Sequence, residues 1–336
     1  MKKPTMQEIA AMLQTSRISV WKALNNRPGI SAQLREKILN KAYETGYINA
    51  SAQANHAMAA SASAGTIAAV VSRPESSSFW MQIIHQIAKE LSVRSVNLMY
   101  TYLPSRYTEG DDLPAVLSGK SVSGIIVLNI YTKPQLKMLA ALPLPKVFLD
   151  SVPTMPFERL GGDLVLIEGR AAVREITGNL LDGGRRRLGF IGDINYAQTN
   201  MDRYLGFVDA FHARGLSCDE AACLVGPLQL TTHYEQISKF LRSLHCMPDG
   251  FVCASDYIAH FIQQYFTEHG VDRRHTCITG FDNNRELVNI AGKITTVDVQ
   301  TKSIGARLAN KIMFAVDHPS AYPEVCYISS KVLFRS

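Results

Sequence analysis

The chain has 336 residues, 46% of them hydrophobic, which is too long for one ordinary core and has the composition of a soluble globular protein. No stretch approaches the ~20 consecutive apolar residues of a membrane span, and the basic start Met1-Lys2-Lys3-Pro4-Thr5 leads into an amphipathic segment rather than an apolar signal core, so a cytoplasmic location is expected. Charge is unevenly placed: residues 1–60 hold eight lysines and arginines against three acids, while the rest hold 27 bases and 26 acids, as expected when one end meets a polyanion.

Thr5 stands three residues before Glu8, the spacing of a capping box, and Ile9, Ala10 and Leu13 then share one side of a short helix. Gln14-Thr15 makes a turn, and Ser16 caps a second helix running to about Asn25. Asn26-Arg27-Pro28-Gly29 ends it, Ser31 caps a third helix with Leu34, Ile38 and Ala42 on one stripe, and Gly46 stops that helix. Three short helices, the first two joined by a two-residue link, describe a helix-turn-helix. At about 100° per residue, Val20 and Leu24 form the inward stripe of the second helix. Arg17, Ile18, Trp21, Lys22 and Asn25 occupy a separate arc. An Ile and a Trp on an outward arc suit a reading helix: Ile18 can meet a thymine methyl, while Arg17 and Lys22 can reach guanine edges or phosphates. Asn25 suits a phosphate or an adenine edge. The plainer alternative is a polar face with an incidental Ile.

Residues 50–64 are rich in Ala and Ser, without aromatics or any aliphatic larger than Met, and read as a connector. From Gly65 onward, apolar strand-like runs alternate with helical ones. Thr66–Val71, Val96–Tyr100, Gly124–Leu128 and Lys146–Asp150 make a first series; Arg187–Gly192, Gly250–Ala254 and Thr276–Gly280 make a second. Such alternation predicts parallel sheets with helices on both faces, and two series predict two lobes with a ligand between them at the carboxyl ends of the strands. The six cysteines, Cys218, Cys223, Cys246, Cys253, Cys277 and Cys326, lack CxxC spacing and read as buried free thiols. No GxGxxG after a strand, GxxxxGK[ST], GxSxG or HExxH is present, so the sequence offers no enzymatic signature, and no metal or cofactor is expected. An exported sugar-binding protein of the same bilobed build would have no use for the first 48 residues.

Thr5–Ala10, Ser16–Asn25, Ile30-Ser31, Arg35–Ile38 and Gly46-Tyr47 resemble, in order and without gaps, the headpiece of the lactose/galactose repressor (LacI/GalR) family. The resemblance continues through Leu181–Gly192, Asp202–Phe207, Cys253–Ala259, Ile278–Asn283 and Thr295–Val297 with Gly305. It implies an all-α helix-turn-helix headpiece (residues 1–49), a hinge (50–64) and an α/β bilobed, periplasmic-binding-protein-like effector and dimerisation module (65–336). The module's first subdomain is expected at about 65–160 and 298–322, its second at about 161–297 and 323–336. It further implies a homodimer on near-palindromic double-stranded operator DNA, most simply a repressor, controlled by a small polar effector of carbohydrate type. Whether the effector induces or corepresses stays open.

By the same resemblance, Arg17 and Ile18 read bases with Lys22 beside them, and Thr5, Ser16, Ser19, Asn25, Ser31 and Tyr47 hold the DNA backbone. Trp21 stands where relatives have a small residue, so it must touch DNA or tilt the helix. His56 falls where relatives wedge a leucine into the minor groove. It can make a polar contact there, or a two-residue slip can bring Met58 into that place, or the segment can be a plain tether. In the module, Arg203 and Asp282 match an effector-clamping pair, with a structural ion pair as the alternative. Phe79 and Trp80 match an aromatic ligand wall, with core packing as the alternative. Asp150 and Ser255 match further polar ligand contacts.

Overall fold

The computed structural model describes residues 4–24, 29–47, 65–72, 78–119, 121–272 and 275–335. The chain divides into two compact units, Met1–Gly65 and Thr66–Ser336. In the smaller unit, α1 (Met6–Met12), α2 (Arg17–Leu24) and α3 (Ala32–Glu44) surround Ile9, Ala10, Val20, Ala23, Ile38 and Ala42. The capping box forms: Glu8 N donates to Thr5 Oγ1 at 3.3 Å and Thr5 N donates to the Glu8 carboxylate. Gln14 takes a left-handed φ of 48°, which turns the chain sharply enough for α2 to start three residues later, at Arg17. Ser19 N on Ser16 Oγ (3.0 Å) and Leu34 N on Ser31 Oγ (3.2 Å) cap the next two helices. Gly46, at φ +67°, lets Tyr47 N return to Ala42 O at 2.8 Å and closes α3.

The larger unit runs β1 (Thr66–Val71), α4 (Ser78–Ser92), β2 (Asn97–Tyr102), β3 (Gly124–Leu128), α5 (Lys133–Ala141), β4 (Lys146–Leu149), β5 (Asp163–Ile167) and α6 (Arg170–Asp182). It continues with β6 (Leu188–Ile191), α7 (Gln198–His212), α8 (His233–Ser243), β7 (Gly250–Cys253), α9 (Asp256–Glu268) and β8 (Cys277–Thr279). β9 (Thr296–Asp298), α10 (Thr301–Asp317), β10 (Val325–Ile328) and β11 (Lys331–Leu333) complete it. The first sheet has the order β10-β5-β4-β3-β1-β2, all parallel. The second is β6-β7-β8, also parallel, and bridges Thr279–Thr295 and Asp282–Asp298 bring β9, with its antiparallel partner β11, alongside β8.

Period-two alternation sorts the first sheet between two cores. Ile67, Ala69, Val71, Ile126, Val147 and Val165 face one layer of helices, and Ala68, Val70, Ile125, Val127, Phe148 and Leu164 face the other. Both faces are therefore covered, as a parallel sheet requires.

Two expectations need correction. β5 and β10, which the sequence reading assigns to the second subdomain, lie together in the first sheet. Glu324 N donates to Asp163 at 2.9 Å, and Lys311 of α10 reaches both Asp163 (3.4 Å) and Glu324, fastening this edge across 148 residues of chain. The cysteines are free, but they are not uniformly buried: Cys253 is buried, Cys246 is exposed and the other four lie between.

The second lobe depends on one very close helix crossing. A Cβ on Gly206 of α7 would lie 2.1 Å from Arg170 O, a backbone atom that cannot yield. Gly206→Ala is expected to push α6 and α7 apart and lower stability by ~3 kcal/mol, at the upper end for overpacking. The measure is the midpoint of urea unfolding, and a midpoint equal to that of the unchanged chain would contradict the crossing.

Candidate functional site

Helix α2 has two unlike sides. Val20 and Ala23 are buried at 0% and 1% exposure, while Ile18 and Trp21 stand 65% and 45% exposed. Arg17 is exposed next to Ile18, and Lys22 is half-buried. Ala23, rather than Leu24, is the second fully buried residue of the inward side; Leu24 packs at its margin. Arg35, which periodicity alone leaves without a role, donates through Nη1 to Lys22 O and Ala23 O at 3.2 and 3.3 Å. It thereby satisfies carbonyls at the C-terminal end of α2 and fixes the tilt of its outward face. Thr5, Ser16 and Ser31 act here as helix caps, and Tyr47 packs half-buried against the headpiece core. Ser19 shares a 2.9 Å hydroxyl contact with Ser16. The remaining headpiece and hinge expectations, Asn25, His56 and its alternative Met58, lie outside the described residues.

In the larger unit the carboxyl ends of the two parallel sheets meet. Asp150 follows β4 and Tyr131 follows β3 by three residues; from the other lobe come Tyr196 and the first turn of α7. Asp150 accepts from Thr199 N at 3.3 Å, from Thr199 Oγ1 and from Ser151 N at 2.8 Å, and Gln198 N donates to Ser151 O at 2.8 Å. The Tyr131 and Tyr196 rings meet across the same seam at 4.4 Å. Burial holds the Asp150 carboxyl above the usual range, although its hydrogen bonds and Arg203 pull the other way. Burial, then the charges of Asp150 and Tyr196, raise the Tyr131 hydroxyl.

Arg203, on α7, is 6% exposed. Its Nη1 donates to Ala254 O at 2.5 Å, and Cζ sits 3.6 Å above the Phe281 ring, while Nε has no hydrogen-bond partner among the described residues. Gly169 lets the backbone pack close over this side chain, where a Cβ would lie 2.9 Å from Cγ and 3.3 Å from Nε. Asp282 follows β8 with φ +105° and makes no side-chain hydrogen bond among the described residues. Burial raises its carboxyl to about 7, with Arg203 opposing and Asp256 adding to the rise. Asp256 behind it accepts from Thr296 Oγ1 and Asn284 N, each at 2.7 Å, and is pushed up to about 6, chiefly by burial.

The structure thus gathers Arg203, Asp282 and Asp150 around one seam. Ser255 has its hydroxyl engaged as the N-cap of α9, accepting from Ile258 N at 3.3 Å. Phe79 and Trp80 open α4, pack edge to face at 5.2 Å and rest against the core. Sequence reasoning missed Tyr131, which the pairing of β3 with β4 sets beside Asp150, and Tyr196 and Thr199, which carry no motif and reach that corner only when the lobes meet.

The raised Asp282 carboxyl has a consequence for stability. Its folded value of about 7 lies above the ordinary 3.8, so between these the folded chain holds more protons than the unfolded one. Stability from this group is present at low pH and is lost as pH rises towards 7. Asp282→Asn is expected to remove that loss, raising the melting temperature over the unchanged chain by ~2–4 °C at about pH 8 and by little at about pH 4. A gap that does not widen with pH would refute the assignment.

A family profile described as a periplasmic binding protein-like domain matches residues 177–336. A helix-turn-helix transcriptional regulator of Mycobacterium tuberculosis, Rv3575c, is 25% identical over 311 residues, covering 86% of this chain and 85% of its own. Among solved structures, the transcriptional regulator CelR in complex with cellobiose aligns at a TM-score of 0.71 and 20% identity, covering 99% of both chains. The lac repressor dimer bound to operator and the anti-inducer ONPF aligns at 0.67 and 15% identity, covering 99% of this chain and 98% of that one. Among the described residues no helix is long and apolar enough to cross a membrane, and no cluster of metal-ligating side chains occurs.

Proposed function

We propose that this chain, a homologue of the LacI-type helix-turn-helix transcriptional regulators, binds operator DNA through α2 and is controlled by a small sugar-like effector held between its lobes. The observation that carries the reading is the outward pair Ile18 and Trp21, 65% and 45% exposed on a helix whose other side is buried. Leaving two large apolar side chains in water is costly in a unit with so small a core, whereas thymine methyls and deoxyribose offer them a surface in the major groove. Arg17 beside them supplies a fork that suits guanine, and the excess of cations in residues 1–60 supplies the phosphate attraction.

The effector reading rests on Arg203, Asp282 and Asp150, which pair donor and acceptor groups at the carboxyl ends of two parallel sheets. Solved relatives hold cellobiose, and operator with ONPF. A dimer would present two copies of α2 about one DNA turn apart, and an effector that prefers one lobe arrangement would shift DNA affinity. Repression relieved by the effector is the simplest form.

The test is selection of DNA from a random library by the full chain. Near-palindromic sites with half-sites about one turn apart are expected. Enrichment of no common sequence would overturn the reading.

A further inference from the structure

We propose that the second lobe carries a ligand site of its own, a hollow that takes a small organic anion: a phosphate or carboxylate group joined to a flat apolar ring. The site is separate from the interlobe cleft and does not rest on reading that cleft as the effector site.

The hollow measures about 730 Å³, within the range of small-molecule sites. Its walls are the last turn of α6, the loop carrying Arg185 into β6, β8 with Thr276 before it, the residues leading into β9, and Phe334 and Arg335 after β11. Strand direction fixes where it lies. Leu188, Gly250 and Cys277 stand in register across β6, β7 and β8, so Arg185 and Thr276 mark the amino end of that sheet. Asp282 follows the carboxyl end of β8, and Arg203 meets Ala254 just past the carboxyl end of β7. The hollow and the cleft thus occupy different ends of the lobe.

Three lining residues are cationic, Arg185, Lys293 and Arg335, and none is acidic. Elsewhere in this unit Arg170, Arg187, Arg214 and Lys311 are each ion-paired, whereas these three meet no carboxylate in an ion pair among the described residues. They bind neutral oxygens instead. Arg185 Nη1 donates to Asp249 O at 3.1 Å, Lys293 Nζ to Val288 O at 3.1 Å, and Arg335 to Ile294 O and Asn283 Oδ1 at 3.2 and 3.0 Å. Such bonds hold the side chains in place and cancel none of their charge. The end of α6 would oppose an anion through open carbonyls. Asn179 O, Leu180 O and Leu181 O, however, already accept from Gly183 N, Arg185 N and Gly184 N. Apolar surface supplies the rest of the lining: Ile278 and Ile294 are buried, and Phe334 is 48% exposed. An open phenyl ring among uncancelled cations suits a flat ring that bears an anionic group.

The experiment titrates the full chain by calorimetry near neutral pH with AMP and adenosine, benzoate and benzyl alcohol, and inorganic phosphate. At least one of AMP and benzoate is expected to bind, ~10-fold or more tighter than its uncharged counterpart and than inorganic phosphate. Arg185→Gln, Lys293→Gln and Phe334→Ala are each expected to weaken that binding ~10-fold or more. Lys293 is exposed, so its variant keeps the test valid if Arg185→Gln fails to fold. Lys137→Gln, which removes an exposed charge from α5, should leave the binding unchanged. Binding that survives both glutamine substitutions places the anion elsewhere and overturns the inference, as does an equal loss with Lys137→Gln. Inorganic phosphate binding as well as AMP, or silence from every probe, overturns it too. A change of oligomeric state in Phe334→Ala, read by sedimentation, would make the hollow a contact between copies of the chain and overturn it as a ligand site.

Discussion

A chain beginning at Thr66 is expected to fold as it does in the full protein and to bind the selected DNA at least ~100-fold more weakly. Each unit encloses its own core. Ile9, Val20, Ala23 and Ile38 form one cluster, and two further clusters lie wholly beyond Thr66. Both core clusters of the larger unit are thus retained when the headpiece is removed. Its removal does take away nearly all the chain's excess positive charge, because residues beyond 60 are close to balanced. Nonspecific phosphate attraction should go with the specific contacts.

Fluorescence anisotropy between about 50 and 200 mM salt separates the two losses. The full chain should lose affinity steeply over that range, and the truncated chain should show no salt slope. Within the full chain, Arg17→Ala should cost ~1–3 kcal/mol on the selected site and less on mismatched sites. Undiminished binding by the truncated chain would place DNA recognition in the larger unit and overturn the assignment.

The second large effect is expected at Arg203. Its replacement by Ala removes the plane stacked on Phe281, leaves Ala254 O without this donor and takes away a buried Nε that has no hydrogen-bond partner among the described residues. Effector affinity should fall at least ~100-fold, equivalent to about 2.7 kcal/mol, with DNA affinity in the absence of effector retained. Arg203→Lys should recover little, because an ammonium keeps the charge but neither the flat stacking surface nor the fork. Arg203→Ala should also unfold at lower urea than the unchanged chain, since Asp150 and Asp282 would lose the positive charge that offsets their burial. If Arg203→Ala responds to the effector as the unchanged chain does, Arg203 is a structural residue and the ligand lies elsewhere.

Much of the headpiece was legible in the amino-acid order because its determinants are local. The Thr5–Glu8 box, the Ser16 and Ser31 caps and the Gly46 stop each act within a few residues, so spacing alone predicts them. The outward position of Ile18 and Trp21 follows from helical angle once Val20 faces inward. Leu24 and Ala23 were harder to separate. In a helix of eight residues the apolar stripe is too short for periodicity to choose between neighbours, and the choice falls to how α3 and its Arg35 pack against α2. In the module, alternation of apolar strands with helices determined the class of fold, because a strand covered on both faces must be apolar along its length.

Strand order and the lobe boundary were decided by the tertiary structure alone. Nothing within Asp163–Ile167 or Val325–Ile328 says which sheet takes them. The answer depends on Asp163, Lys311 and Glu324 converging from distant parts of the chain. The cleft shows the same division. Arg203 and Asp282 could be singled out by resemblance, but the Phe281 face under Arg203, the Thr199 donors on Asp150 and the Tyr131–Tyr196 contact join residues with no shared local pattern. Local hydrogen bonding and hydrophobic periodicity are written into neighbouring residues, whereas the environment that raises a buried carboxyl or stacks a guanidinium exists only after distant segments have packed around it.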